Sequence, residues 1–564
     1  MINLKKILKL DETLCLILIL AYGFFSHLYI ISRYGGLVAD GDVSYFTKAI
    51  QDFQVHGGIG EFVRYSNGLG FQIIATEISD ITGLTIPQVQ LLPFGFFYLI
   101  IAYLLFREFT DSKYTALIGA VVLSLLPDLL FITARGTHER YTFFLFLLSL
   151  FILVRYSKNS HSLQKSATYV AILYCSLLTM ALINQWFFVL ILIAIISTTF
   201  LGLIQSLFFK TNGDPYKRML FSIIPIILLS YLLVQFGTSS NTMFSGVMSI
   251  WLGKFFTFSP HVPVLPLLGV AVLLVLILYV IHTRGNHFIL QYGFNAPINN
   301  LKKNKLERRI LYVIVLLLFL VWIPFVYYFI APSNTTFHSP GIYFFLTGIY
   351  WIILPISVLM GLIIVKHYTI DKNSEYAHKN LGTLLFLSFF GLFGLSVFID
   401  RIIHSGVGDN LELRVFPYLL VFSAGITACA VFEISTNIVK APWKKLFVGL
   451  IIVAFAIFSI SSLLKATNDP SVSDFKIYYS PEEKNGINWL EINNPQSSIT
   501  FREDRFSTAF AFNSYDYAFK NVHGTQENTA DVFMGTHDYL RDPENFDFHT
   551  ILYDNANVMI FREN

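Results

Sequence analysis

The feature that most constrains this chain is a series of about thirteen apolar windows, each long enough to cross a bilayer as a helix. A membrane-spanning α-helix needs about 20 predominantly apolar residues. Of the 564 residues, 55% are hydrophobic and 13% are charged, whereas charged residues make up about 25% of a typical soluble protein. These patterns predict a polytopic α-helical membrane protein. The predicted spans are 13–32, 87–106, 114–134, 141–156, 166–183, 186–208, 219–236, 262–282, 310–331, 342–365, 381–399, 415–435 and 446–465.

The distribution of Lys and Arg predicts the orientation of these spans. With the N-terminus inside, the inner segments hold 23 of these residues and the outer loops hold 8. Short cytoplasmic loops carry such an excess. We therefore expect a multi-pass protein of the plasma membrane with a cytoplasmic N-terminus and an extracytoplasmic C-terminal tail.

Two domains follow from this topology. The first is a transmembrane domain, 1–465, whose first outer loop is 33–86. The second is an extracytoplasmic domain, 466–564. Its patterns predict a small α/β fold, with a helix from Pro481, a strand at 498–501 and a hairpin formed by 550–553 and 558–561.

A pair of carboxylates, Asp40 and Asp42, follows the first predicted span. Asp42 has a competing role as a helix cap, which does not account for Asp40. Both are candidates for a general base or for ligands of Mg²⁺ or Mn²⁺, which prefer oxygen donors. The residues after the pair predict an amphipathic helix on the membrane surface, with an apolar stripe at Val43, Phe46, Ile50 and Phe53. A second helical pattern covers 70–79.

A second polar cluster lies between the third and fourth spans, in Thr133-Ala134-Arg135-Gly136-Thr137-His138-Glu139-Arg140. One interpretation is a solvated hairpin with arginines anchored at the interface. The other is a site in which His138 and Glu139 complete a metal centre with the acidic pair, or in which the arginines bind a phosphate. Asp128 lies near the outer end of the third span, where an ionisable residue is costly and is a functional candidate.

A third outer cluster runs from Asp400 to Arg414 and includes Arg401 and His404. Arg414 lies at the membrane boundary, where a long side chain can simply extend to the headgroups. Alternatively, these residues bind a lipid-linked phosphate, because a guanidinium binds phosphate through two parallel hydrogen bonds.

The chain resembles the C-type (GT-C) integral membrane glycosyltransferases. The resemblance rests on the acidic pair after span one, the Gly68-Leu69-Gly70 and Ile81-Thr82-Gly83-Leu84 segments leading into span two, the Thr-Ala-Arg-Gly-Thr-His-Glu turn, the loop ending at Arg414, and the outer tail. It implies a polyprenyl-phosphate-linked sugar donor and a lipid, glycan or protein acceptor at the outer face. Membrane lipid is a further expected partner, and nucleic acid is not.

The resemblance also implies roles for particular residues. Asp40 or Asp42 would be the general base or a ligand of a divalent cation. Arg414, with Arg401 or Arg135, would neutralise the leaving phosphate. A single displacement would invert the anomeric carbon.

The layout is also similar to that of oligosaccharyltransferase catalytic subunits. Those proteins carry a Trp-Trp-Asp-Tyr-Gly signature in the outer domain, whereas this tail contains one tryptophan, Trp489. The prediction is therefore glycosyl transfer in the broader sense. Two alternatives are a flippase or transporter of lipid-linked saccharides and a polysaccharide polymerase or ligase. A transporter would be expected to show an internal repeat and polar residues at mid-span.

Overall fold

The protein is described by a computed structural model. The described residues are 12–33, 41–56, 70–158, 163–209, 211–237, 342, 345–371, 374–398, 411–439, 443–467, 481–493, 499–501, 522–523, 532–536, 549–555 and 558–563. The chain separates into two compact units, one formed by Met1–Val234 with Ser333–Asn564 and the other by Gln235–Pro332. The predicted boundary between 465 and 466 stays a prediction.

The described part is mostly helical. Its helices are α1 (Glu12–Arg33), α2 (Gly41–His56), α3 (Gly70–Thr82), α4 (Ile86–Leu91), α5 (Tyr98–Thr110), α6 (Lys113–Ser124), α7 (Pro127–Ala134), α8 (His138–Lys158), α9 (Leu163–Ile183), α10 (Gln185–Phe209), α11 (Asp214–Gly237), α12 (Gly348–Asp371), α13 (Ser374–Phe398), α14 (Leu411–Glu433), α15 (Lys444–Thr467) and α16 (Pro481–Asn493). A 3₁₀ turn, Phe94–Phe97, joins α4 to α5, and a π-helical turn, Ile434–Ile438, follows α14.

Within these ranges, nine helical segments are long and apolar enough to cross a membrane, and α6 with α7 forms a bent tenth. The multi-pass helical architecture predicted from sequence is thereby confirmed. The α11 helix covers a further predicted window, 219–236, whereas windows 262–282 and 310–331 lie outside the described residues. The total of thirteen spans and the orientation of the termini stay predictions.

The predicted third span, 114–134, is a broken helix. The axes of α6 and α7 differ in direction by 73°. The break occurs at Pro127, which has no N–H to continue a helix, and Leu126 before it is extended, with φ −86° and ψ 113°. The predicted window is therefore covered by a bent pair of helices. Its second part is a separate short helix that leads into the polar turn before α8.

The two predicted helices of the first outer loop are present as α2 and α3. The predicted stripe of α2 contributes Phe46 and Ile50, which are 3% and 0% exposed, to a core cluster with residues of α3, α4 and α9. The rings of Phe46 and Phe71 meet edge to face with centroids 5.2 Å apart. The stripe thus packs against protein, and not against lipid as a membrane-surface helix would require.

Aromatic residues fill the interior between α5, α8, α13 and α14. Phe146 lies against Tyr418 with ring centroids 4.7 Å apart, and Phe389 stacks on Phe422 at 5.1 Å.

Glycines let helices approach closely. A Cβ on Gly119 would lie 2.7 Å from the Phe106 ring. Small residues at such contacts are typical of membrane helices, since packing rather than the hydrophobic effect holds them together.

Ion pairs join helix ends that the sequence assigns to the inner side. Glu12 at the start of α1 lies 2.9 Å from Arg107 and 3.7 Å from Lys113. Glu108 lies 4.0 Å from Arg155 and 3.9 Å from Lys158. These contacts show that the ends of α5 and α8 and the starts of α1 and α6 lie at one end of the helices, as the predicted topology requires.

The C-terminal part contains a five-stranded sheet with the order β2-β1-β3-β5-β4. Its strands are β1 (Ile499–Phe501), β2 (Val522–His523), β3 (Val532–Thr536), β4 (His549–Asp554) and β5 (Val558–Glu563). β1 pairs in parallel with β2 and β3, while β5 is antiparallel to β3 and β4. Ile487 and Leu490 of α16 are fully buried, and the predicted hairpin and helix are both present.

Candidate active site in the turn between α7 and α8

The polar turn Arg135–Thr137 joins the broken third span to α8. The Arg135 amide donates to the Phe131 carbonyl at 3.1 Å, and the Thr137 amide donates to the Arg135 carbonyl at 2.9 Å. Helix α8 begins at His138, so Glu139 lies in its first turn. A carboxylate there is favoured by the free amides and the positive end of the helix dipole.

Arg135 and Glu139 form an ion pair across this turn. The Nη2 of Arg135 donates to Oε2 of Glu139, and each side chain is 13% exposed. The Arg135 guanidinium also lies 4.8 Å from the centroid of the Phe131 ring, a cation–π distance. The predicted metal ligand Glu139 and the predicted phosphate ligand Arg135 therefore neutralise each other in this arrangement.

His138 lies in an aromatic environment built by α2 and α3. It is 5% exposed, and its ring centroid lies 4.4 Å from that of Phe46 in α2 and 6.4 Å from that of Phe71 in α3. The helices that follow the acidic pair thus form one wall of the turn. This contact places the two helices that follow the acidic segment against the polar turn.

Arg140 holds main-chain carbonyls. Its Nη1 donates to the Leu92 carbonyl at 2.6 Å, its Nη2 donates to the Gln90 carbonyl, and the residue is 4% exposed. Both terminal nitrogens of the guanidinium, Nη1 and Nη2, therefore already donate to main-chain carbonyls. Phosphate binding through Arg140, one of the sequence interpretations, is therefore not favoured by this geometry, while Arg135 remains a candidate.

Gln90 connects the turn to the start of α2. Its Nε2 donates to the Val43 carbonyl at 3.3 Å and to the Gly136 carbonyl at 3.1 Å, and its Oε1 accepts from Thr47 Oγ1 at 2.6 Å. Because carbonyls only accept, the nitrogen of the amide must face them, which determines the orientation of the group. Val43 directly follows Asp42, so the acidic segment of the chain and the polar turn share one donor group.

His27 in α1 supports the other side of the turn. Its Nδ1 donates to the Gly23 carbonyl at 2.7 Å, and its Nε2 lies 3.1 Å from Thr133 Oγ1. Gly95 packs against both residues of this pair. A Cβ at that position would come within 1.9 Å of the Thr133 carbonyl oxygen and 2.7 Å of His27 Nε2.

Asp128 belongs to a different cluster. Its Oδ2 accepts from the Tyr350 hydroxyl at 2.8 Å, its amide donates to the same hydroxyl at 2.9 Å, and its Oδ1 lies 3.8 Å from Lys465 Nζ. The carboxylate is thus satisfied by residues of α12 and α15. Its contacts account for an ionisable group at the break between α6 and α7.

Arg414 lies in the first turn of α14 and is partly exposed. One turn further along, Tyr418 contacts Phe143 with ring centroids 5.7 Å apart, and Phe143 lies one turn beyond Glu139 in α8. Phe422 likewise contacts Phe146, so both helices run the same way. Arg414 therefore lies one turn before the part of α14 that contacts the first turns of α8.

Several predicted site residues lie outside the part of the chain whose side chains the structure describes. Asp40, Arg401 and His404 lie outside the described residues, and of Asp42 the structure describes only the backbone, in the first turn of α2. In the described part of the chain, no group of three or more His, Cys, Asp or Glu side chains could hold a metal ion. Of the four predicted ligands, His138 and Glu139 are described, and Glu139 is paired with Arg135.

Sequence reasoning missed two residues that organise this site, Gln90 and His27. Both lie inside predicted spans and are 2% and 1% exposed. Their occurrence within apolar windows was itself a signal, since a buried amide or imidazole needs specific hydrogen-bond partners. The partners themselves are distant in sequence and could not be inferred from it.

No protein-family model matches the chain, and no curated protein matches it in sequence. Solved structures are similar to it. An oligosaccharyltransferase from Archaeoglobus fulgidus, tethered to an acceptor peptide containing the NVT sequon, has a TM-score of 0.52 and 14% identity, and the match covers 91% of this chain and 60% of that chain.

Two further structures are less similar. The archaeal oligosaccharyltransferase AglB from Archaeoglobus fulgidus, in complex with an inhibitory peptide and a dolichol-phosphate, has a TM-score of 0.46 and 13% identity, covering 90% of this chain and 64% of that one. ArnT from Cupriavidus metallidurans, bound to undecaprenyl phosphate, has a TM-score of 0.42 and 10% identity, covering 97% of both chains.

The chain spans between 60% and 64% of the length of the archaeal oligosaccharyltransferases that it matches. At these identities the likeness concerns the fold. It shows that this chain has a fold similar to that of the archaeal membrane oligosaccharyltransferase.

Proposed function

We propose that this protein is a membrane glycosyltransferase that transfers a sugar from a polyprenyl-phosphate-linked donor to an acceptor at the outer membrane face. One observation carries the proposal. The start of α2, which contains Asp42, and the Arg135–Glu139 turn are held side by side through Gln90. The backbone that follows Asp42 and the polar turn are therefore neighbours in a fold similar to that of an archaeal oligosaccharyltransferase, which supports a glycosyltransferase of the GT-C type.

The proposed reaction is a single displacement at the anomeric carbon. An acceptor hydroxyl attacks that carbon, the bond from the carbon to the phosphate oxygen breaks, and polyprenyl phosphate leaves with the bonding electrons. Asp40 or Asp42 takes the acceptor proton. Because attack and departure occur on opposite faces, the anomeric configuration inverts.

The leaving phosphate gains negative charge as the bond breaks, and a fixed guanidinium stabilises that charge. Arg414 and Arg135 are the proposed groups, with Arg401 and His404 as further candidates. Arg414 is supported by its position one turn before Tyr418, whose ring contacts α8 one turn beyond Glu139. Arg135 is supported by its place in the turn, although it must exchange Glu139 for the phosphate.

A divalent cation is a secondary proposal. It would require Asp40 and Asp42 to join His138 and Glu139, and the pairing of Glu139 with Arg135 competes with such a role. No step above depends on a metal. Treatment with EDTA followed by addition of Mg²⁺ or Mn²⁺ tests it, and transfer that is unaffected by EDTA would exclude the cation.

The acceptor is proposed to be a lipid, a glycan or a protein. The archaeal oligosaccharyltransferase of similar fold is tethered to an acceptor peptide, which makes peptides reasonable first acceptors to test. The single tryptophan of the tail leaves the broader choice open.

The test is a transfer assay with the full-length protein in liposomes and a panel of radiolabelled polyprenyl-phosphate monosaccharides. We expect Asp40→Asn or Asp42→Asn to lower the transfer rate by about 100-fold or more, as loss of a general base does. Asp80→Asn is the matched control, because Asp80 is an exposed acid of the same outer loop. Transfer at the wild-type rate by both Asp40 and Asp42 variants would contradict the proposal. Movement of donor lipid across the bilayer without transfer would favour the flippase alternative.

A further inference from the structure

Gln90 is an unusual residue for its position. It lies in α4, at the start of the second span, and is 2% exposed. Burying a primary amide in such surroundings costs free energy unless its donors and acceptor are used. Here both hydrogens of Nε2 and the oxygen Oε1 have partners.

Those partners belong to separate parts of the candidate site. The Val43 carbonyl lies in the first turn of α2, next to Asp42, while the Gly136 carbonyl lies at the centre of the polar turn. The two hydrogens of one planar amide point in directions set by its geometry. A single rigid group therefore determines the separation between the acidic segment and the Arg135–Glu139 turn.

The backbone around Gln90 is held equally closely. A Cβ on Gly136 would lie 2.7 Å from Gln90 Cβ and 2.9 Å from the Gln90 carbonyl oxygen, so the turn packs directly on this residue. Arg140 at the start of α8 donates to the same Gln90 carbonyl. Both the side chain and the main chain of Gln90 thus connect α2, α4 and α8.

We infer that Gln90 is a positioning residue of the glycosyltransferase site, which sets the distance between the start of α2, where the backbone of Asp42 lies, and the turn that carries Arg135. This inference rests on the proposed function. Gln90 itself touches no substrate, so its effect is exerted through the two carbonyls. Misplacement of a catalytic group by about 1 Å can lower a rate by about 100-fold.

The decisive variant is Gln90→Met, which keeps the length of the side chain and removes all three hydrogen bonds. Gln90→Glu keeps the acceptor for Thr47 and places oxygens against the two carbonyls, so it should be at least as harmful. The matched control is Gln205→Met. Gln205 is 6% exposed and exchanges two hydrogen bonds with Asn380, at 3.2 Å and 2.8 Å, far along the chain from the site.

Two readouts separate positioning from general stability. In the transfer assay, using the donor selected from the panel, we expect Gln90→Met to lower kcat by about 10- to 100-fold with KM for the donor changed less than about 3-fold. Gln205→Met should change kcat less than about 2-fold at a matched loss of thermal stability. In hydrogen–deuterium exchange of the substrate-free protein, only the Gln90 variants should raise exchange in 41–56 and 135–139.

Equal effects of Gln90→Met and Gln205→Met on kcat, or unchanged exchange in α2 and the turn, would overturn the inference. The proposed function fails in a different way, through wild-type transfer by the Asp40 and Asp42 variants. The two failures can therefore be told apart. A gain in KM without a loss of kcat would also contradict a positioning role.

Discussion

Arg135, in the turn after α7, and Glu139, four residues later in the first turn of α8, form an ion pair in which each side chain is only 13% exposed. Shielding from water strengthens the attraction between two charges, so this pair should contribute more to stability than an exposed surface pair does. A double-mutant cycle with Arg135→Gln and Glu139→Gln should give a coupling energy of about 1–3 kcal/mol in thermal or denaturant unfolding of the detergent-solubilised protein.

The Lys217–Asp214 pair is the matched control. Its atoms are 3.5 Å apart and its side chains are 61% and 63% exposed. We expect a coupling energy of no more than about 0.5 kcal/mol there. Similar coupling energies for the two pairs would show that the turn does not shield Arg135 and Glu139 from solvent.

Gly95→Ala should destabilise the protein by about 3 kcal/mol or more, because the new Cβ would overlap the Thr133 carbonyl oxygen, which is backbone and cannot rotate away. The measurement is the unfolding midpoint. Gly391→Ala and Gly394→Ala are the controls, since a Cβ there meets nothing within 4 Å. Equal stability of the Gly95 variant and these controls would show that Thr133 and His27 are not packed beneath Gly95.

Arg140→Lys should cost about 1–3 kcal/mol, although the charge is retained. The guanidinium serves the Gln90 and Leu92 carbonyls with two nitrogens, whereas one ammonium cannot reproduce that planar geometry. Arg155→Lys, at a side chain 44% exposed, should change the free energy of unfolding by less than about 0.5 kcal/mol. If Arg140→Lys were as mild as the control, the two-carbonyl contact would not be required.

Tyr350→Phe should lower stability by about 1–3 kcal/mol. Its hydroxyl both donates to the Asp128 carboxylate and accepts from the Asp128 amide, so the change leaves two polar groups with one partner fewer. Tyr29→Phe, at a residue 39% exposed, is the control and should be close to neutral. A neutral Tyr350 variant would show that neither the carboxylate nor the amide of Asp128 requires the hydroxyl.

Much of the architecture could be predicted because the signals are local. The window 13–32 coincides with α1, and 141–156 lies within α8, since the apolar length needed to cross a bilayer is visible in sequence alone. The hairpin of β4 and β5 was equally predictable, from two short apolar segments on either side of an Asp-Asn turn. The break at Pro127 has a local cause too, because proline lacks the N–H that would continue α6, but apolar length alone does not reveal it.

The candidate site was only partly predictable. The residue types of the turn identified His138, Glu139 and Arg135 as candidates, but the same pattern gave Arg140 the same chemistry as Arg135. Only the packing separates them, because Arg140 is held by carbonyls 48 and 50 residues earlier in the chain, while Arg135 pairs with Glu139.

By itself the sequence determined that this chain crosses the membrane many times as helices and that it places an acidic pair and a polar turn at loop ends, because length, hydropathy and charge act locally. The tertiary structure alone decided that the helix following the acidic pair packs on that turn through Phe46 and His138. It also decided that Gln90 joins carbonyls 47 residues before it and 46 residues after it. Such contacts depend on which helices become neighbours, and that choice is made by packing over the whole fold.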